Sequence, residues 1–578
     1  MKVRIWLQLS ALTLPLAFVT ACGKDTKQAD MAAAQSTPAR PYEAPRPSNG
    51  SETALRSAIA AGRLSELRRP DFSSYRNDVK SFYELVGFAP VWTQGRTPTQ
   101  QALMVIGLLQ AADGQGLQAE DYDSSRWAKR LVRMQEPNAP DGDAQFVRFD
   151  LALTVSLMRY LSDIRMGRVN PKHFKFGLDV EHKKYDLPQF LRQQILNSED
   201  IRTVVKEVEP PFAGYRRTEK ALESYLELAR EDNDAALPVL EKTVEPGDPY
   251  PGVTRLARFL RLLGDLPAEA TATSDGAVYQ GELVEAVKRF QRRHGLASDG
   301  RLNRETLVQL NTPLSRRVLE LQLALERWRW LPHDFSQPPI IVNIPEFRLR
   351  ALDENNRVSL AMRVVVGRAY RHQTPVFAED MTYLVFRPYW NVPRGIQRSE
   401  IVPAIVKNRS YVFNNLYEVV TQEGRIVTSG EIDDDILQHL RTGELKIRQK
   451  PGPRNSLGLV KLMFPNAHSV YLHSTPSPEL FSRSRRDFSH GCIRVEKPAE
   501  LAAWALRENP KWDLARVQAA METGPNNFHV KLAEPIPVYI LYGTALVEED
   551  GEVHFFEDIY GYDAALEKVL LQGYPQPK

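Results

Sequence analysis

The segment from His473 to Val495 reads HSTPSPELFSRSRRDFSHGCIRV. A cysteine is nucleophilic as its thiolate, and a nearby imidazole can generate or pair with that thiolate near neutral pH. Cys492 therefore needs a histidine, and His473 and His490 are the nearby candidates. His490 stands two residues away in the turn SHGC, where its ring cannot readily curl back onto the thiol. His473 ends an apparent strand, with fifteen residues between it and Ser489, so the chain can leave and return beside it. His473 is the expected base. Gly491 lets backbone amides approach a reacting carbonyl, as an oxyanion hole requires. If Cys492 to Arg494 is extended, both side chains point to one side, and Arg494 can hold a substrate carboxylate.

Two blander readings compete. A zinc site would need His468, His473, His490 and Cys492, but His468 and His473 are five apart and face opposite sides of a strand. No C-x-x-C pair exists, so no metal is expected. Each residue taken alone also reads as an inert cysteine or a satisfied histidine. Together they point to a catalytic thiol rather than an inert one. The run Arg483, Arg485 and Arg486 between them reads either as a lure for carboxylates or as a solvated charged face.

From residue 339 the hydrophobic period alternates: Val358, Leu360, Met362, Val364 and Val366 mark a strand with one buried face. TYLVF, LVKLMF and SVYLH are further strand candidates, giving a sandwich-like or mixed β domain over 339–500. Residues 396–455 interrupt it and read as an insertion, a lid over the site. The tail 501–578 reads as a C-terminal extension that begins helical and ends in strands. Upstream, 51–250 is mostly helical, and VRFDLALTVSLMRYLSDIRMGRV is apolar around much of its circumference, as a buried core helix is. A compact unit follows at 251–313. A helix with Val318, Leu321, Leu325 and Trp328 on one face then connects it, over 314–338, to the β domain. The fold class is multidomain α+β.

The chain has 578 residues, of which 43% are hydrophobic and 25% charged, an ordinary globular balance that excludes a mostly disordered or polytopic membrane chain. Its net charge of +3 is too small to recruit nucleic acid by field alone. With two cysteines, no disulfide scaffold is possible. Lys2 and Arg4, the apolar run to Ala21, and VTAC before Gly23 describe an export signal over 1–22. The last four residues resemble a bacterial lipobox, with Cys22 acylated; an uncleaved amino-terminal anchor is the alternative. By analogy with exported lipoproteins, Gly23 points to the outer membrane of a Gram-negative-type bacterium. Residues 23–50, rich in Ala, Pro and polar groups, read as a tether.

His473, the gap, and SHGCIRV resemble the signature of the L,D-transpeptidase family with a YkuD-type catalytic domain. TPVF (374–377), PYWNVP (388–393) and KPGPRNSLGLVKLMFPN (450–466) resemble its large YcbB-like branch. Phe290-Gln291, Gly295-Leu296, Asp299-Gly300, Thr306 and Leu310 resemble the small three-helix peptidoglycan-binding module. The resemblance implies that Cys492 is the nucleophile, His473 its base, and the backbone carbonyl of Ser474 the group that orients the ring. It places Ser489, His490, Gly491 and Arg494 on motif positions, with Tyr471, Trp390 and Asn391 as wall residues. It implies peptidoglycan stem peptides as substrate, a 3→3 cross-link as product, D-Ala as leaving group, carbapenems as inhibitors and no cofactor. Cell-wall synthases are candidate partners. An L,D-carboxypeptidase or wall-detaching hydrolase would use the same residues, and a wall-binding scaffold would use none of them.

Overall fold

The computed structural model describes residues 48–136, 143–232, 236–270 and 278–572. The expected export signal, Cys22 and nearly all of the expected tether lie outside the described residues. The first helix, Asn49–Ala61, begins just before the tether's expected end. Ser48 caps it by accepting from Ser51 N.

The helical region is organised around Asp143–Met166. Leu151, Leu153, Val155, Leu157 and Leu161 are fully buried, so apolar groups face nearly every direction. Its buried polar groups are matched. Asp150 accepts from Tyr83 Oη at 2.6 Å and Trp92 N at 2.7 Å, Thr154 accepts from Trp92 Nε1 at 2.9 Å, and Asp163 accepts from Tyr122 Oη at 2.7 Å. No helix among the described residues is long and apolar enough to cross a membrane. A short ribbon, β1 (Thr93–Gln94) with β2 (Thr97–Pro98), decorates this region.

Helices Val253–Leu262, Glu282–Arg293 and Arg304–Leu310 form the small module. Gln291 Nε2 donates to Asp299 Oδ1, Thr306 Oγ1 and the Arg301 carbonyl, while Gly300 N donates to Gln291 Oε1. The motif residues thus clamp the Gly-rich turn between two helices.

The strands beyond 339 are β3 (Ile340–Asn343), β4 (Arg348–Leu352), β5 (Val358–Gly367), β6 (Phe377–Phe386), β7 (Trp390–Asn391), β8 (Tyr417–Val420), β9 (Ile426–Thr428), β10 (Lys446–Gln449), β11 (Val460–Met463), β12 (Leu472–His473), β13 (Asp487–Ser489), β14 (Ile493–Val495), β15 (Phe528–Leu541), β16 (Ala545–Val547) and β17 (Val553–Phe555). One sheet runs β13-β5-β14-β12-β11-β6-β15-β3-β4, and β4 pairs again with β5. The sheet therefore closes on itself, where a sandwich would leave two open sheets. Its inward residues, among them Val364, Val366, Leu384, Leu462, Leu472 and Ile493, share one core.

Two expected boundaries shift. The domain does not end at 500: β15 pairs with β6 on one side and β3 on the other. Leu501, Ala502 and Val517 from the following helices also enter the core. The register shift between Lys531 and Ile536, over LAEP, breaks the alternation that would have announced one long strand. The insertion is a second sheet, β7-β10-β8-β9, which starts earlier than 396. It has its own core of Val392, Ile401, Ile405, Val419, Leu437 and Ile447.

The helical region is tied to this domain. Gly177 N donates to the Val376 carbonyl at 2.9 Å, and Ala378 N to the Gly177 carbonyl at 3.1 Å. Val169, Phe176, Leu178 and Val180 join the core of the closed sheet. The connecting helix Leu314–Trp328 carries Glu326, which accepts from Val169 N at 2.9 Å, and Arg327, which donates to Asp563 at 2.6 Å.

Candidate active site

Parallel pairing of β12 with β14 sets Leu472 beside Ile493 and His473 beside Arg494. Leu472 and Ile493 are fully buried in the core. By the period of two, Tyr471, His473, Cys492 and Arg494 lie on the opposite face. Antiparallel pairing of β11 adds Lys461 directly opposite His473. Three neighbouring strands thus present a row Lys461–His473–Arg494, with Tyr471 and Cys492 one step along. Ile493 N donates to the Tyr471 carbonyl at 3.1 Å, which locks that step.

The His473 ring is buried, with Nδ1 2.6 Å from the Ser474 carbonyl. That contact fixes the protonated nitrogen and leaves the ring's other nitrogen unprotonated in the neutral form. Ser474 itself sits where a Cβ on Gly458 would lie 2.4 Å from its hydroxyl, so residue 458 must be glycine for the chain to pass. The thiol of Cys492 is half-buried and donates to the Ser469 carbonyl at 3.7 Å.

The turn before the thiol is held from several sides. Ser489 Oγ donates to the Cys492 carbonyl at 2.5 Å and accepts from Gly491 N at 3.1 Å. Gly491 has φ +116°, a conformation closed to other residues. Its carbonyl accepts from Thr374 Oγ1 at 2.7 Å, and that oxygen accepts from Gly367 N at 2.9 Å. Tyr560 Oη donates to the Gly367 carbonyl at 2.5 Å and accepts from Thr374 N at 3.1 Å. Residues on β5, the following loop and the carboxy-terminal tail therefore all converge on one turn.

Burial disfavours the charged form of both His473 and Cys492. Burial first, then the Arg494 charge, pushes the His473 imidazole down to about 3, against the Ser474 and Leu457 carbonyls that favour its proton. Burial pushes the Cys492 thiol up, opposed by hydrogen bonds from the Tyr471 backbone and hydroxyl and by the Arg494 and Lys461 charges. Those opposing groups stabilise negative charge where it would develop. Burial lowers the Lys461 ammonium, whose Nζ stands 5.7 Å from the Tyr471 ring centre. Arg494 Nε is buried without a hydrogen-bond partner.

Other residues singled out from sequence are placed elsewhere. Trp390 and Asn391 pair with β10 in the inserted sheet, and Trp390 packs toward Tyr417 at 6.3 Å. His490 does not turn to the thiol: its Nε2 lies 2.6 Å from Glu400 Oε1 of the insertion. Arg485 is engaged by Asp487 and Glu557, and Arg486 by the carbonyls of Val364 and Phe347, so this pair is not a free basic patch. Lys461, Thr374, Gly458, Tyr560 and Glu400 were not singled out. The first three stand inside the quoted motifs LVKLMF, TPVF and NSLGLVK, which was the available signal; Tyr560 and Glu400 carry none. Among the described residues no cluster of histidine, cysteine and carboxylates could hold a metal.

Residues 338–530 match the family described as "L,D-transpeptidase catalytic domain", YkuD. The chain carries a YkuD domain. Residues 249–310 match the family described as "Putative peptidoglycan binding domain", and 77–222 match "Scaffold domain". A Haemophilus influenzae protein described as "Putative L,D-transpeptidase" is 30% identical over 292 residues, 50% of this chain and 56% of that protein. The chain thus spans little more than half the length of the curated relative it matches. The Lys461–His473–Arg494 row and the turn before Cys492 fall inside the residues matched to YkuD.

Proposed function

We propose that the chain is an L,D-transpeptidase that forms 3→3 cross-links between peptidoglycan stem peptides. The observation that carries this reading is the face shared by Cys492 and His473 on adjacent parallel strands, with the imidazole oriented by the Ser474 carbonyl. Neutral His473 takes the thiol proton as Sγ attacks the carbonyl between the third residue, meso-diaminopimelate, and D-Ala. The Cys492 N–H and the Tyr471 hydroxyl, which stands beside the thiol, would meet the developing oxyanion. Gly491 N is unsuited to that task because it already donates to Ser489. The imidazolium then returns its proton to the departing D-Ala amine.

A thioester remains on Cys492. It preserves the energy of the broken amide, so the second step needs no nucleotide. The side-chain amine of a second diaminopimelate attacks, His473 accepts its proton, and the thiol is released. Arg494 and Lys461 supply positive charge for stem carboxylates. The insertion, which carries Trp390 and Asn391, limits water at the thioester. The expected export signal and Cys22 acylation would hold this chemistry in the periplasm on a lipid anchor, with cell-wall synthases as candidate partners and carbapenems acylating Cys492.

The test is purified full-length protein with disaccharide-tetrapeptide, products followed by mass spectrometry beside Cys492→Ala. A dimer that has lost one D-Ala, absent with the variant, supports the reading. Free D-Ala with tripeptide and no dimer makes the protein a hydrolase. No Cys492-dependent product on folded protein leaves a wall-binding scaffold.

A further inference from the structure

Three elements remote in sequence meet beside the catalytic turn. His490 belongs to the turn, His372 to the loop after β5, and Glu400 to the insertion. His490 Nε2 lies 2.6 Å from Glu400 Oε1, and the His372 and His490 ring centres are 4.8 Å apart. Glu400 stands in Gln397–Ile401, a single π-helical turn between the α-helical segments Arg394–Ile396 and Val402–Lys407. Such a widened turn departs from the regular ladder and recurs at functional sites. The insertion keeps a core separate from that of the closed sheet. A contact that fixes His490 fixes a residue two positions from Cys492, in a turn already pinned through Gly491 and Ser489. The Glu400–His490 bond therefore joins the insertion to the reacting centre.

Resting on the reading of Cys492 as the acyl carrier, we propose that Glu400 is a positioning residue that latches the insertion to the catalytic turn through His490, and that the latched state sends the thioester to an amine rather than to water. Either acceptor attacks the same carbonyl carbon, and the C–S bond breaks with the thiol regaining a proton. The amine loses a proton and leaves an amide, whereas water leaves a carboxylic acid. The latch acts on which acceptor reaches the carbon, not on these steps.

The experiment compares wild type, Glu400→Ala and Glu400→Gln as full-length protein on disaccharide-tetrapeptide. It reads D-Ala release, the ratio of dimer to tripeptide, and hydrogen exchange over residues 394–407 and 487–493. Glu400→Ala should lower the ratio about fivefold, the weight of one hydrogen bond, with D-Ala release changed by less than about twofold. Exchange should quicken in both segments. Glu400→Gln keeps an oxygen that accepts from the imidazole N–H and should restore the ratio. Unchanged exchange over 487–493 in Glu400→Ala overturns the latch, and a wild-type ratio despite quickened exchange overturns its role in partition. If wild type gives no Cys492-dependent product, the transpeptidase reading fails and partition fails with it, while exchange still separates a latch from an incidental surface pair.

Discussion

Cys492 is held as a thiol and His473 as a neutral base, because burial acts on each in the direction that disfavours its charge. The pH behaviour follows. With the imidazole pushed down to about 3, no acid limb near pH 6.5 is expected from His473. Iodoacetamide alkylation of Cys492 should keep rising through pH 9; a plateau between pH 6 and 7 would show a preformed thiolate–imidazolium pair instead. His473→Asn should slow D-Ala release by about 10²–10⁴-fold, the range of a lost general base, measured with unchanged thermal midpoint. Thr374→Val removes both the donor to the Gly491 carbonyl and the acceptor of Gly367 N, and should cost about tenfold in kcat with little change in KM. The grouping of the proposed nucleophile, base and turn was legible because they sit in one short segment. Lys461 was not, since only strand pairing brings it opposite His473.

At the scale of elements, the long helix Asp143–Met166 was readable from its all-round apolar character, and the alternation after 339 announced strands. Closure of the sheet was not readable, because pairing of β4 with β5 is non-local. The long helix also carries a pH signature. Burial raises Asp150 and Asp163 to about 7, above the ordinary carboxylate range, despite donors such as Tyr83 to Asp150 and Tyr122 to Asp163. A carboxyl raised on folding stabilises the fold below its unfolded value near 4, and that contribution is lost as pH rises through 7. The melting temperature should therefore fall between about pH 4 and 7, and Asp150→Asn should flatten part of that slope. His473 has the opposite sign: its contribution is present above pH 6.5 and lost as pH falls toward 3. A slope equally steep in Asp150→Asn would contradict the assignment to this carboxyl.

Over the whole molecule, helical region, module and closed sheet are not beads on a string. Phe176 and Val180 of the helical region are core residues of the closed sheet, and Arg327 of the connecting helix reaches Asp563 in the tail. Composition shifts suggested separable domains, because a sequence records where each segment's period changes but not which segments share a core. Phe176→Ala should cost about 3–5 kcal/mol and lower the thermal transition of the catalytic domain as well as that of the helical region. Calorimetry with two independent transitions, only one of them shifted, would contradict this shared core. The same coupling explains why Tyr560, far along the chain, can brace the loop that holds Gly491.

The most direct test of the account is the intact mass of the full-length protein, acid-quenched during reaction with disaccharide-tetrapeptide. The account predicts an adduct of the donor less D-Ala, mapped to Cys492 and absent from Cys492→Ala. Turnover that persists in Cys492→Ala, or an adduct on another residue, would contradict it.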